Sequence, residues 1–117
     1  MATFAFVLPI LPGQEETVRG MRVAVSGSGE LREKYEASRK RLGISEEKVR
    51  IQRTPIGYAI VVYWETEDPQ RTLREIADSR DEFDKDFRRL IETAAPAMDL
   101  GQKQPLSNEL LFEWKEY

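Results

Sequence analysis

The stretch GYAIVVYWE, Gly57 to Glu65, constrains the fold more than any other part of the chain. A strand with one wet face alternates apolar and polar side chains. Here Tyr58, Ile60, Val62 and Trp64 on one side are backed by Ala59, Val61 and Tyr63 on the other. Such a strand belongs in the middle of a sheet and needs cover on both faces. Thr3 to Ile10 has the same property: Phe4, Phe6 and Leu8 are backed by Ala5 and Val7, until Pro9 and the Leu11-Pro12-Gly13 turn stop the run.

Two further strands are one-sided. Lys48 to Thr54 sets Val49 and Ile51 against Lys48, Arg50 and Gln52, and Leu110, Phe112 and Trp114 alternate with Leu111, Glu113 and Lys115 near the end of the chain. Between the strands the period changes. Pro12 and the acidic pair Glu15 and Glu16 suit a helix start, and Val18, Met21 and Val25 follow at helical spacing as far as SGSG. Leu31, Tyr35 and Leu42 mark a second piece closed by Gly43, supported by Glu30 to Lys34 and Glu36 to Lys40 pairs. The second helical region is also split. Asp68-Pro69 opens one piece through Leu73, Ile76 and Ala77, and a Ser79 to Glu82 capping box opens another through Phe83, Phe87, Leu90, Ile91 and Ala94. Pro96 ends it, and a polar loop from Asp99 to Pro105 crosses back to the last strand.

The order βαββαβ predicts an α+β, ferredoxin-like domain spanning residues 1–117. Its four-stranded antiparallel sheet has the first and third strands central and the split helices on one face. Helices on one face leave the other bare. Four large apolar side chains at about 1.5–3 kcal/mol each amount to about 6–12 kcal/mol of unused burial, comparable to the entire stability of a domain, about 5–15 kcal/mol. A second copy, sheet face against sheet face, is the simplest cover, so a homodimer is expected. A bound apolar ligand, or a C-terminal segment folded across the face, is the alternative.

Composition removes whole classes of chemistry. The 117 residues carry 18 Lys and Arg against 21 Asp and Glu, a net charge of −3, which gives no general attraction to nucleic acid. There is no cysteine and no histidine, so disulfides, thiol nucleophiles, Cys/His zinc sites and imidazole bases are excluded. MATFAFVLPILP lacks a basic leader and is too short for a membrane span, so it reads as a strand of a cytoplasmic protein that does not engage membranes. SGSGE, Ser26 to Glu30, follows a helix and lacks the remaining residues of a phosphate loop, so it reads as a joint. Helical spacing sends Asp81, Glu82, Asp84 and Asp86 to different faces, and neither a protein-held metal nor a cofactor is expected.

The candidate ligand-binding residues are Trp64, Tyr63, Tyr58, Arg39 and Arg53. Trp64 and Tyr63 close the central strand, where an aromatic pair stacks a planar ligand, or else packs one ring under the helices and the other against a partner. Arg39, Lys40 and Arg41 complement a helix C-terminus and otherwise read as a solvated face, although Arg39 lies one position past the apolar side of Tyr35 and within reach of a pocket carboxylate or enolate. Arg53 and Tyr58 flank the turn at Pro55 and Gly57. Arg88, four residues after Asp84, reads as its helix partner.

Taken together, LPILPG (Leu8 to Gly13), YEASRKRLGI (Tyr35 to Ile44), QRTPIGYAIVVYWE (Gln52 to Glu65), FDKDFR (Phe83 to Arg88) and ELLFEW (Glu109 to Trp114) make the chain resemble an uncharacterised bacterial family of the dimeric α/β-barrel superfamily. The resemblance covers nearly the full length and implies protomers that pair their sheets into a barrel. In that family the FD segment carries an additional aromatic and ends in His-Gly. Here Asp86 and Ala95-Pro96 stand instead, so no activity resting on that histidine is expected. Haem-degrading members of the superfamily need a histidine that this chain lacks. Its cofactor-independent monooxygenases use Trp, Tyr, Arg and Asn in a pocket between sheet and helices, which this composition permits without a residue-by-residue match. The resemblance therefore leaves three readings: a small-molecule binder, a cofactor-free monooxygenase or isomerase acting on a phenol-like substrate, or a structural dimerisation module.

Overall fold

The two-sided strand does lie in the middle of the sheet. The structure, a computed structural model, describes residues 2–27, 29–96 and 109–116. Its elements are β1 (Ala2–Pro9), α1 (Glu15–Arg19), α2 (Met21–Ser26), α3 (Glu30–Arg41), β2 (Ile44–Thr54), β3 (Gly57–Thr66), α4 (Pro69–Asp78) and α5 (Glu82–Ala94). The strands form one antiparallel sheet in the order β1-β3-β2. Register places Phe4 and Glu47 on either side of Trp64, and Leu8 and Ile51 on either side of Ile60.

Strand alternation then decides what is buried. Phe4, Leu8, Ile60, Val62 and Trp64 face the helical layer and pack with Val18, Leu73, Ile76, Ile91 and Ala94. Burying each large apolar side chain contributes about 1.5–3 kcal/mol, so this layer is the main source of stability. The opposite face carries Ala5 and Val7 from β1 and Val61 and Tyr63 from β3, beside a polar margin of Lys48, Arg50 and Gln52 from β2. Val7 is 59% exposed there.

Local chemistry sets the element ends. The Asp68 carboxylate accepts from the Arg71 amide at 3.2 Å with Pro69 in the first turn, as the sequence predicts. The cap of α5 is Asp81, which accepts from the Phe83 amide at 3.0 Å and the Asp84 amide at 3.3 Å, whereas the sequence places a capping box at Ser79. Ser79 instead ends α4 and donates its hydroxyl to Asp84 at 2.6 Å. Arg88 does not pair with Asp84: its guanidinium donates to the Ile76 carbonyl at 2.6 Å and the Ser79 carbonyl at 3.3 Å, satisfying the end of α4. After α3, Gly43 takes φ +74°, a left-handed turn that favours glycine, and lets the chain re-enter the sheet as β2. A register shift between Ile44 and Glu46 then sets the phase of β2.

Two expectations need correction. β2 begins at Ile44, not Lys48, because the polar run before Val49 pairs with β3. The C-terminal residues 109–116 form no strand and take no place in the sheet, which has three strands among the described residues. Alternation supplies only the side-chain preference of a strand; hydrogen bonds to a neighbour make one, and among the described residues no strand pairs with this segment. Among the described residues β1 is the outermost strand on its side of the sheet. The polar loop expected over Asp99 to Pro105 lies outside the described residues.

The helices are tied to one another by Asp84, whose side chain is 3% exposed. It accepts from the Ser38 hydroxyl of α3, from Ser79, and from Arg41 at 3.3 Å. Burial by itself raises the Asp84 carboxyl, but these hydrogen bonds outweigh it and hold the group below its ordinary value. A carboxyl lowered by folding stabilises the protein above its unfolded value, about 3.9, and that stability is lost as pH falls through the lower folded value. Asp84→Asn is therefore expected to lose about 1–3 kcal/mol at pH 7, measured by urea unfolding, with the gap to the native chain narrowing below about pH 4.

Candidate functional site

Beginning β2 at Ile44 puts an acidic residue on the apolar face of the sheet. Glu47 shares the face of Val49 and Ile51, stands across from Trp64, and leaves only 6% of its side chain exposed. A carboxylate in that position needs partners on every side. Arg39 supplies the cation, its Nε donating to Glu47 Oε1 at 2.9 Å with 10% of its own side chain exposed. The Tyr35 hydroxyl donates to the same oxygen at 2.7 Å, and the Trp64 indole Nε1 donates to Oε2 at 2.6 Å.

Each donor is itself fixed. The Arg39 guanidinium lies between the Tyr35 ring, at 4.8 Å, and the Phe87 ring, at 4.9 Å. Its Nη1 donates to Ser38 Oγ at 3.0 Å, linking the pair to Asp84. Tyr35 stands one helical turn before Arg39 and packs edge-on against Phe83, while the Phe6 ring meets Trp64 edge-on at 5.1 Å.

Glu47 borders two cavities. One, of about 230 Å³, is lined by Val18, Met21, Val25, Tyr35, Val49, Ile51 and Phe87, with Arg19, Arg22 and Arg50 also on its wall. The other, about 40 Å³, runs deeper beside Phe6, Val62, Trp64 and Ile91. The protein thus has a largely apolar slot between sheet and helices with one carboxylate, Glu47, in its wall. A carboxylate offers about four acceptor positions. Among the described residues three are used: Oε1 takes two donors and Oε2 takes one.

The structure gathers two of the residues expected from the sequence, Trp64 and Arg39, around a carboxylate that the sequence reading passed over. It separates the other three. Tyr63 is on the far face, donating to Glu65 at 3.0 Å beneath the Lys48 ammonium. Tyr58 lies six residues back along β3, about 20 Å from Trp64 at a strand's rise, with Arg19 over its ring at 5.4 Å. Arg53 pairs across from Tyr58 and is exposed. Arg39 is not part of a solvated face; its two aromatic neighbours and Glu47 bury it. Among the described residues no group of three or more acidic side chains is placed to hold a metal ion, and no helix is long and apolar enough to cross a membrane.

No family model, no curated protein and no solved structure matches the chain. The site is therefore read from its own chemistry.

Burial, and then the neighbouring Glu47 charge, push the Tyr35 phenol up to about 12, with Arg39 opposing them. Tyr35 is accordingly a hydrogen-bond donor throughout the neutral range. In Glu47→Gln the charge disappears while the burial remains, so the Tyr35 titration is expected to move down from about 12 yet stay above the ordinary 10.0. The ultraviolet difference between this variant with and without Tyr35→Phe measures it. Arg39→Ala leaves Glu47 buried without its cation and is expected to lose about 3–5 kcal/mol in chemical denaturation.

Proposed function

We propose that the protein binds a small, mostly apolar or aromatic molecule carrying one hydrogen-bond donor, in the slot between sheet and helices. The observation that carries this reading is the remaining acceptor position of Glu47 Oε2, in a carboxylate bordering an otherwise largely apolar cavity of about 230 Å³. A cavity of about 150 Å³ is enough for benzene, so a substituted or fused ring is of suitable size. A phenol meets the requirement: its hydroxyl donates to Oε2 and its ring lies among Val18, Val49, Ile51 and Phe87.

The working form in this proposal is a homodimer of the dimeric α/β-barrel type, joined through the uncovered sheet faces, with Val7, Val61 and Tyr63 at the contact. Glu46, Lys48 and Arg50 on the β2 margin give the contact a charged rim. Val61→Asp places a charge at its centre and should yield a monomer by native mass spectrometry.

A second reading, an enzyme, is favoured by Tyr35 and Glu47 lining one cavity, with Arg39 bonded to Glu47 from outside it. Glu47 would accept a proton from a phenol-like substrate while Tyr35 and Arg39 stabilise the carboxylate's other oxygen. An isomerase or a cofactor-independent monooxygenase fits that arrangement.

The binding proposal is tested on Trp114→Phe, which leaves Trp64 as the single tryptophan. Titration with 1-naphthol should change Trp64 fluorescence, and naphthalene, which lacks the donor, should bind about 10–100-fold more weakly, as expected for one hydrogen bond to a charged group. Equal affinity for the two would remove Glu47 from the binding site. Recovery of oxidised or rearranged naphthol would move the protein to the enzyme reading.

A further inference from the structure

The larger cavity is more basic than its one carboxylate requires. Glu47 is already matched by Arg39, which is not on the cavity wall, yet Arg19, Arg22 and Arg50 are. The place of Arg22 follows from the helix. α1 and α2 are joined by Gly20, itself in right-handed helical conformation, so Val18, Met21, Arg22 and Val25 fall at the i, i+3, i+4 and i+7 positions of one helical face. That face forms the helical side of the cavity. Arg22 thus stands among apolar neighbours, at a position where the spacing calls for another apolar residue. Arg50 comes from the opposite side, between Val49 and Ile51 on β2.

Burial orders these polar groups along the slot. The Glu47 side chain is 6% exposed and that of Arg19 34%, while Arg22 and Arg50 are exposed. The carboxylate therefore lies at the inner end and the guanidiniums toward the mouth. Arg19 is set over the Tyr58 ring at 5.4 Å and pairs with Glu16, whose own side chain is 80% exposed. A pair so open to water contributes little to stability, and a ligand carboxylate can share or replace Glu16 at small cost. With Glu47 already compensated by Arg39, a concave apolar wall carrying further charges of one sign concentrates their field at the mouth and attracts an anion.

We propose that the ligand of the slot is an aromatic hydroxy acid, its hydroxyl donating to Glu47 Oε2 at the inner end and its carboxylate held by Arg19 and Arg22 at the mouth, with Arg50 adding charge from β2. The inference rests on the binding reading above and narrows it to one chemical class. A carboxylate matches the planar fork of a guanidinium through two parallel hydrogen bonds, and the ring between the two polar ends lies against Val18, Val49, Ile51 and Phe87. The ends are not interchangeable, because a ligand carboxylate beside Glu47 would meet a like charge at close range.

The test is isothermal titration calorimetry of the full-length chain with 6-hydroxy-2-naphthoate and with its methyl ester, which lacks the charge. The acid is expected to bind about tenfold or more tightly than the ester, as for a hydrogen bond between charged groups, and the advantage should shrink as salt rises from about 0.02 to about 0.5 M. In Arg22→Gln the advantage should be reduced, and in Arg19→Gln/Arg22→Gln the two ligands should bind alike. Both ligands are measured on each variant, so a partial loss of fold weakens them together and leaves their ratio as the readout. Equal affinities in the native chain would overturn the hydroxy acid and leave the reading of a neutral ligand standing. An advantage that survives the double substitution would place the carboxylate elsewhere and likewise overturn the proposal. Failure of the acid, the ester and 1-naphthol alike would overturn the slot reading as well.

Discussion

The Arg39–Glu47 pair is the interaction on which the arrangement of the helical layer depends. Two charges removed from water cost several kcal/mol each, and that cost is offset only when geometry and hydrogen bonding are nearly complete. Here α3 contributes Tyr35 and Arg39, β2 contributes Glu47 and β3 contributes Trp64, so the pair is satisfied only when α3 lies at one position over the sheet. From Arg39 the contacts continue through Ser38 to Asp84 and Ser79, fixing α5 and the end of α4 to the same frame. At the other end of α3, the fully buried Thr72 donates to the Leu42 carbonyl at 2.9 Å. Its proton is thereby used, and Thr66 is the donor to Thr72 at 2.9 Å. Polar bonds at both ends of α3 thus set its position, and apolar burial between them supplies the bulk of the energy.

Much of this was legible because it is local. The two-sided pattern of β3, the Asp68-Pro69 helix start and the apolar stripe of α5 each follow from spacing within a few residues. Glu47 was missed for a reason that can be named. Glu46-Glu47-Lys48 reads as a polar run, and beginning the strand at Lys48 hides it; carrying the Val49 and Ile51 alternation back by two residues puts Glu47 on the core face. The same alternation shows that Tyr63 and Trp64, as neighbours in one strand, cannot line the same pocket. Arg39 sits in a run of three basic residues that sequence alone assigns to solvent, and only its i+4 relation to Tyr35 points inward. The fourth strand was not legible in the same way. Its alternation is plain, but whether a neighbour pairs with it is a non-local matter that no window of sequence contains, and residues 109–116 form no strand.

A buried ion pair is poor evidence for stability, because well-packed apolar residues of similar volume commonly stabilise as well or better. The placement of this one is more informative than its existence. Arg39 is not on the wall of the larger cavity, whereas Glu47 and Tyr35 line it. Of the paired groups a ligand would meet Glu47 and Tyr35, while Arg19, Arg22 and Arg50 bring positive charge to the same wall. Beside Glu47 a neutral donor is suited better than an anion, which the carboxylate would repel at close range, and an anionic group would have to lie toward the three arginines instead.

Among the described residues no helix or strand covers the sheet face of Val7, Val61 and Tyr63, and a second copy would cover it. This has a consequence for the slot. In β3, Ile60, Val62 and Trp64 face the helices, and Val61 and Tyr63 between them face outward. No backbone rotation can tilt one set without the other, since successive side chains alternate about a single main chain. In the proposed dimer, contacts on Val61 and Tyr63 therefore restrain Trp64, whose indole holds Glu47 Oε2, the oxygen with the acceptor position left for a ligand. Assembly on one face of β3 and binding on the other would then share a single strand, and the free energy of each would depend on the other.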